Sequence, residues 1–309
     1  MTRSRYSWLL APALCVCALA LWLSSAPVRA QALKPVVKKN LFSHVMKSAD
    51  VDAAFAKITD SWDVYTKTNH AVTFRVATKK TGVTNHAEAD EYWFVRKGAA
   101  KVALATSGPH PVAAGDVVYV PRNMSYDIDP SARFEYVALR VFAPRPAGRG
   151  AGAGQAGEGG GAASEPTSYF ATKAQTDQTF ATETKSATLR FPGGASVNQI
   201  IYDGSIGPYE SHEAADQIYF VRYGTAKAIY DGRLINPTVT GPGQIRGTGV
   251  LDGSEYTIAA GDIVFIPRNQ VHFVDPGTGK VGYFLVGMPS SQSGFPAPPP
   301  TPGRGRGAQ

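Results

Sequence analysis

Glu210, His212 and His272 are residues whose types and spacing could do metal chemistry. Residues i and i+2 of a β-strand face the same way, so Glu210 and His212 can both point into one interior. Gln217, Tyr219 and Val221 can share that interior from the next strand. Pro267-Arg268-Asn269 has turn chemistry, after which His272 and Val274 would re-enter from a third strand. Two imidazoles and a carboxylate converging in a small barrel hold a divalent transition metal (Fe, Mn, Ni or Zn) with positions left open. The same groups also read as satisfied polar residues of a barrel that holds no metal, and both readings stand at this point. Gln217 carries a neutral amide, a poor ligand, which places it beside the ligands or against a bound molecule.

An earlier segment repeats this pattern with weaker donors. His86-Ala-Glu-Ala-Asp-Glu-Tyr-Trp-Phe-Val-Arg-Lys-Gly98 lines up with His212-Glu-Ala-Ala-Asp-Gln-Ile-Tyr-Phe-Val-Arg-Tyr-Gly224, an offset of 126 residues. Gly115-Asp-Val-Val-Tyr-Val-Pro-Arg-Asn123 lines up with Gly261-Asp-Ile-Val-Phe-Ile-Pro-Arg-Asn269, an offset of 146. The second copy therefore carries an insertion of 20 residues, at about 231–253. Two copies this far apart mean duplicated domains. In the first copy His86 and Glu91 stand at the His212 and Gln217 places, Thr84 at that of Glu210 and Tyr126 at that of His272. Glu88 could join them if its strand continues. One imidazole, one carboxylate and a phenol hold divalent ions weakly, so no metal is expected there. A polar pocket for a small ligand, or a structural barrel, is expected instead. Trp93, Tyr119, Tyr219, Phe265 and Phe273 could stack on a ligand, although aromatics in strands usually fill the core. His110 falls in Ser107-Gly-Pro-His-Pro111, which reads as an exposed turn. Arg96, Arg222, Arg122 and Arg268 read as surface or cross-strand ion-pair residues.

The two blocks resemble the paired motifs of the cupin superfamily. The first motif is Gly, five residues, His-x-His, three or four residues, Glu, six residues, Gly; the second is Gly, five residues, Pro-x-Gly, two residues, His. Gly204, Glu210, His212, Gln217 and Gly224 keep the spacing of the first, and Gly261, Pro267, Asn269 and His272 that of the second. His86, Glu91, Gly98, Gly115, Pro121, Asn123 and Tyr126 follow them in the first copy, where Thr78 replaces the leading Gly. The resemblance implies an all-β chain of two tandem jelly-roll (double-stranded β-helix) barrels, a bicupin. It implies oxygenase, isomerase or decarboxylase chemistry on a small organic molecule, and pairing through sheets, either as a homodimer or as a pseudo-dimer of the two repeats. Many cupins use three His and one Glu. Glu210 and Gln217 depart from that set, so any metal must rest on Glu210, His212 and His272, with Gln217 and Tyr219 beside them. A binding protein for a sugar, polyol or acid, or a scaffold using the insertion as a contact surface, are the competing functions.

The elements that must position these residues are mostly short strands. Ala71–Ala77, Val137–Phe142, Gln199–Tyr202 and Tyr283–Val286 are β-branched and aromatic runs between Gly, Pro, Asp and Asn. One helix is expected over Ser48–Trp62, from Val51, Ala54, Phe55 and Ile58 at helical spacing, with Asp50 as its N-cap. Residues 37–143 and 167–288 form the two domains. They are joined by a Gly/Pro-rich linker at 144–166 and followed by a disordered tail at 289–309. Arg3 and Arg5 precede an apolar run from Trp8 to Leu23, and Val28 and Ala30 supply the small residues of a cleavage site before Gln31. Residues 1–30 thus read as a secretory signal for a periplasmic or secreted protein with no stable membrane span; the run is short for an uncleaved anchor. Both cysteines lie within it, so the mature chain has no thiolate chemistry. Removing its three arginines leaves 28 basic against 24 acidic residues, +4, with Arg145, Arg149, Arg304 and Arg306 in the connectors. The domains are near neutral, and no nucleic-acid partner is expected.

Overall fold

The computed structural model describes residues 44–67, 69–142, 169–184, 186–192 and 195–289. The expected signal, the linker and the tail from residue 290 onward lie outside the described residues. In the first repeat the β-branched runs become a six-stranded sheet. Its order is Phe170–Ala171, Val117–Val120, Asp90–Lys97, Phe134–Val141, His70–Ala77, Ser61–Thr66. A second sheet runs Thr84–Asn85, Ser125–Pro130, Ala99–Leu104, Ser107–Ala113. Trp93, Val95, Val118 and Ala138 of one sheet share a buried core with Val102, Val112, Tyr126 and Ile128 of the other, so the sheets close face to face. The second repeat builds the same enclosure around Tyr219, Ala228, Tyr230, Ile258, Val274 and Tyr283. There Ala215–Tyr230 is one strand of 16 residues, which joins both sheets into an eleven-stranded one. The corresponding strand of the first repeat breaks at Gly98. Gly98 and Gly224 have φ of 82° and 68°, and a Cβ at either would strike the backbone carbonyl of Arg133 or Lys280. Only glycine fits these crossings.

A further apolar core lies between the repeats. The rings of Phe94 and Phe220 stack at 3.9 Å, and Phe284 lies 5.6 Å from Phe94. Short strands cross over at this junction. His44–Met46 pairs with Ile263–Ile266 of the second repeat, and Phe170–Ala171 with Val117–Val120 of the first.

The expected helix is shorter than its periodicity suggested. It spans Ser48–Lys57 (α1), and Ser61–Thr66, including Trp62, is a strand paired with His70–Ala77. Ile58 is already extended (φ −90°, ψ 132°). Asp50 is not the cap. Lys47 occupies that position without a side-chain bond, and the Ser48 amide donates to Asp262 Oδ1 at 2.7 Å. A second helix, Lys173–Thr182 (α2), was missed. It opens with a capping box of Thr172 and Gln175, and the Lys173 amide donates to Asp116 Oδ1 at 2.5 Å. Its mean hydropathy is low and it buries little beyond Thr176 and Phe180, so apolar periodicity gave no signal. No helix among the described residues is long and apolar enough to cross a membrane.

Candidate metal centre

Register brings the second repeat's polar residues together. Tyr209–His212 pairs antiparallel with His272–Asp275, placing Glu210 directly opposite His272. The turn between Pro267 and Gln270 closes with Asn269 at φ 64° and its amide donating to the His212 carbonyl at 2.7 Å. Glu210 Oε1 lies 3.4 Å from His212 Nε2 and 3.6 Å from His272 Nε2, and the rings of the two histidines are 5.2 Å apart. One donor atom from each residue falls within 4.8 Å of the others, and all three side chains are buried. His272 Nδ1 donates to the Gln270 carbonyl at 3.1 Å, which leaves the lone pair on Nε2. Nε2 of both histidines is buried without a hydrogen-bond partner. Burial lowers the His212 imidazole below its ordinary value and so favours its neutral form. Burial pushes Glu210 up, but its contacts with His212 and His272 outweigh this and hold it well below the usual carboxylate range. An ionised carboxylate beside a neutral imidazole is a donor state that suits a divalent ion.

Gln217 and Tyr219 lie beside this cluster. Tyr219 donates to Gln217 Oε1 at 2.8 Å, and its ring meets His272 edge-on at 6.3 Å. Two residues that the sequence reading left out also reach the cluster. Gln244 Nε2 and Arg246 Nε donate to Glu210 Oε2 at 3.2 and 3.3 Å. Both sit on Gln244–Gly247, a strand of the insertion that pairs with Tyr209–His212 so that Arg246 faces Glu210 and Gln244 faces His212. Their signal would have been the two-residue spacing of polar side chains inside a segment read only as an insertion.

The first repeat arranges its counterparts differently. Glu91 is buried and receives Arg75 Nη1 and Nη2 at 2.9 Å each, and Trp93 Nε1 at 2.7 Å. His86 Nε2 lies 2.6 Å from the Tyr126 hydroxyl. Arg75 Nη1 also approaches His86 Nε2 at 3.3 Å and Tyr126 at 3.5 Å. Burial pulls the Arg75 pKa down, but Tyr136, Glu91 and Tyr126 raise it further, so the guanidinium stays charged; burial pushes Tyr136 up to about 12. Arg75 was read only as part of a strand, and a lone charge inside Val-Thr-Phe-Arg-Val-Ala was the available signal. Trp93 is wholly enclosed, packed edge-on against Tyr126 at 4.8 Å. Glu88 does not join the group; it is 61% exposed and pairs with Arg140 at 2.6 Å. His110 is not in a turn either. It lies in the strand Ser107–Ala113 opposite Val102, and its ring stacks on Phe170 at 4.1 Å. Arg96 pairs with Asp52, Arg222 with Asp177, and Arg122 with Asp90.

Comparison of this structure with solved ones decides the fold. A cupin 2 conserved barrel domain protein from Leptotrichia buccalis superposes with a TM-score of 0.52, over 81% of this chain and 97% of that one, at 11% identity. The fold is that of the cupins. A single-residue mutant of salicylate 1,2-dioxygenase from Pseudoaminobacter salicylatoxidans gives 0.53 over 89% and 93%, at 10% identity. The putative glyoxylate-induced protein from Pseudomonas aeruginosa gives 0.50 over 79% and 88%, at 13%. No family model matches the sequence, and no curated protein does. At these identities the shared feature is the cupin fold, and the chemistry must be argued from the site.

Proposed function

We propose that this chain is an exported bicupin whose second barrel holds a divalent transition metal on Glu210, His212 and His272 and acts on a small organic molecule. The observation that carries this reading is the pair of buried, unpartnered Nε2 atoms, both within 3.6 Å of one carboxylate oxygen. Buried polar atoms are normally satisfied, and an ion held by Glu210 at this place would satisfy both at once. Arg3, Arg5, the apolar run and Ala30 support the export step.

When bound, the metal supplies a Lewis acid that polarises a carbonyl or carboxylate, or a centre that activates dioxygen. The chain's own residues set up that site. Gln270 fixes the His272 tautomer through its carbonyl, and Gln244 and Arg246 hold Glu210 by its outer oxygen. Tyr219 meets the His272 ring edge-on and orients the Gln217 amide by donating to its Oε1.

Metal analysis of protein purified without a His tag tests the reading. One Fe, Mn, Ni or Zn per chain is expected, falling below a tenth in His212→Ala and His272→Ala variants that remain folded. Metal-free protein that melts higher with small sugars or acids would replace this reading with that of a non-catalytic binding protein.

A further inference from the structure

We propose that the first barrel carries its own cation: the guanidinium of Arg75 stands where the second barrel presents its metal ligands, and it permanently excludes a metal there. This rests on the reading of Glu210, His212 and His272 as a metal site. Strand registers establish the equivalence of the two places. Thr84 faces Tyr126 as Glu210 faces His272. Glu91 faces Val120 as Gln217 faces Ile266. The Asn123 amide donates to the His86 carbonyl as the Asn269 amide donates to that of His212. Arg75 faces Tyr136, which faces Val95; Ile200 faces Tyr283, which faces Val221. Arg75 thus corresponds to Ile200, and Glu91 to Gln217.

The two barrels differ at these places in a coupled way. Where Ile200 and Gln217 are neutral, two imidazole nitrogens are left unpartnered. Where Arg75 and Glu91 are charged, Arg75 Nη1 lies within 3.5 Å of atoms from His86, Glu91 and Tyr126, the counterparts of His212, Gln217 and His272. A buried carboxylate needs a partner cation, and a bidentate guanidinium satisfies it without any ion from solution. Arg75 is the bidentate partner of Glu91, which Arg140 Nε also reaches at 3.3 Å, and a metal at His86 would have to displace a covalently tethered cation.

Two sets of variants test this. In denaturation, Arg75→Ile and Glu91→Gln should each destabilise the chain, and the double variant, which copies the second barrel, should recover most of the loss. Metal content gives an independent readout. Adding Thr84→Glu and Tyr126→His to the double variant should raise bound metal by one per chain, whereas Thr84→Glu and Tyr126→His with Arg75 and Glu91 retained should not. A double variant no more stable than either single one, or equal metal uptake with Arg75 retained, would overturn the proposal. Where the fourfold variant fails to fold, the stability comparison decides. Wild-type protein without metal would remove the proposed function, while the coupling of Arg75 to Glu91 would still stand or fall on its own measurement.

Discussion

Glu210 and His70 are buried ionisable side chains whose surroundings favour opposite charge states. Glu210 is held toward its ionised form, with Gln244 and Arg246 donating to Oε2. His70 is enclosed where the repeats meet, with Asn69 Oδ1 2.9 Å from Nδ1, the Tyr65 ring at 5.5 Å, and Asp216 3.9 Å away, itself paired with Lys67. Burial lowers its pKa to about 4; Asp216 opposes this and Lys67 adds to it. The unfolded chain, with an imidazole near 6.5, therefore binds a proton that the folded chain refuses. Stability contributed by neutral His70 is fully present above about pH 6.5 and is lost as pH falls toward 4. At 1.36 kcal/mol per unit the loss reaches about 3 kcal/mol. Urea denaturation of the wild type and of His70→Leu between pH 7.5 and 4 measures it. The wild type should lose more stability on acidification than the variant, and parallel profiles would refute the assignment.

At the scale of elements, the insertion supplies a strand that extends the second barrel's sheet beside Glu210. Among the described residues the first repeat's strand Thr84–Asn85 pairs only with Ser125–Pro130, but in the second Tyr209–His212 has a neighbour on each side. Groups that hold a metal-ligating carboxylate commonly contribute 10- to 100-fold to metal affinity. Arg246→Ala and Gln244→Ala should each weaken metal binding by about tenfold, read by competition with a chelator, with the melting curve of the metal-free protein little changed because Arg246 is 34% exposed. Unaltered affinity in both would show that the insertion does not position Glu210. This element also marks what the sequence could reveal. Strands such as His70–Ala77 and Phe134–Val141 were legible because β-branched runs end at turn residues, and the repeat set Gly98 against Gly224 and Asn123 against Asn269. The partners of Glu210 were not legible, because they depend on the register between strands more than thirty residues apart, which local patterning does not encode. The end of α1 was misjudged for a related reason. Trp62 suits a helix face as well as a strand, and only pairing with Phe74 settles it.

On the scale of the whole molecule, the repeats are joined by reciprocal caps as well as by the Phe94–Phe220 stack. Gly115-Asp116 and Gly261-Asp262 are the same motif step, and each aspartate receives the first amide of the helix that opens the other repeat. Asp262 is the more enclosed of the two, accepting from the Ser48 and Ala259 amides and from Lys47 Nζ at 2.7, 3.0 and 2.6 Å. Its carboxylate stabilises α1 as an anion at a helix N-terminus and accepts from two half-buried amides and an exposed lysine. Neither repeat completes its sheet without a strand from the other, so loosening one cap should weaken both halves together. Asp262→Ala is expected to cost about 2 kcal/mol and to lower a single melting transition that remains single. The more exposed Asp116→Ala should cost less. Calorimetry distinguishes the alternatives: a variant that splits the endotherm into two would mean that the halves fold independently and that the crossed strands and caps only decorate their junction. A preserved single peak, shifted downward, follows if the crossed strands and reciprocal caps bind the two repeats into one cooperative unit.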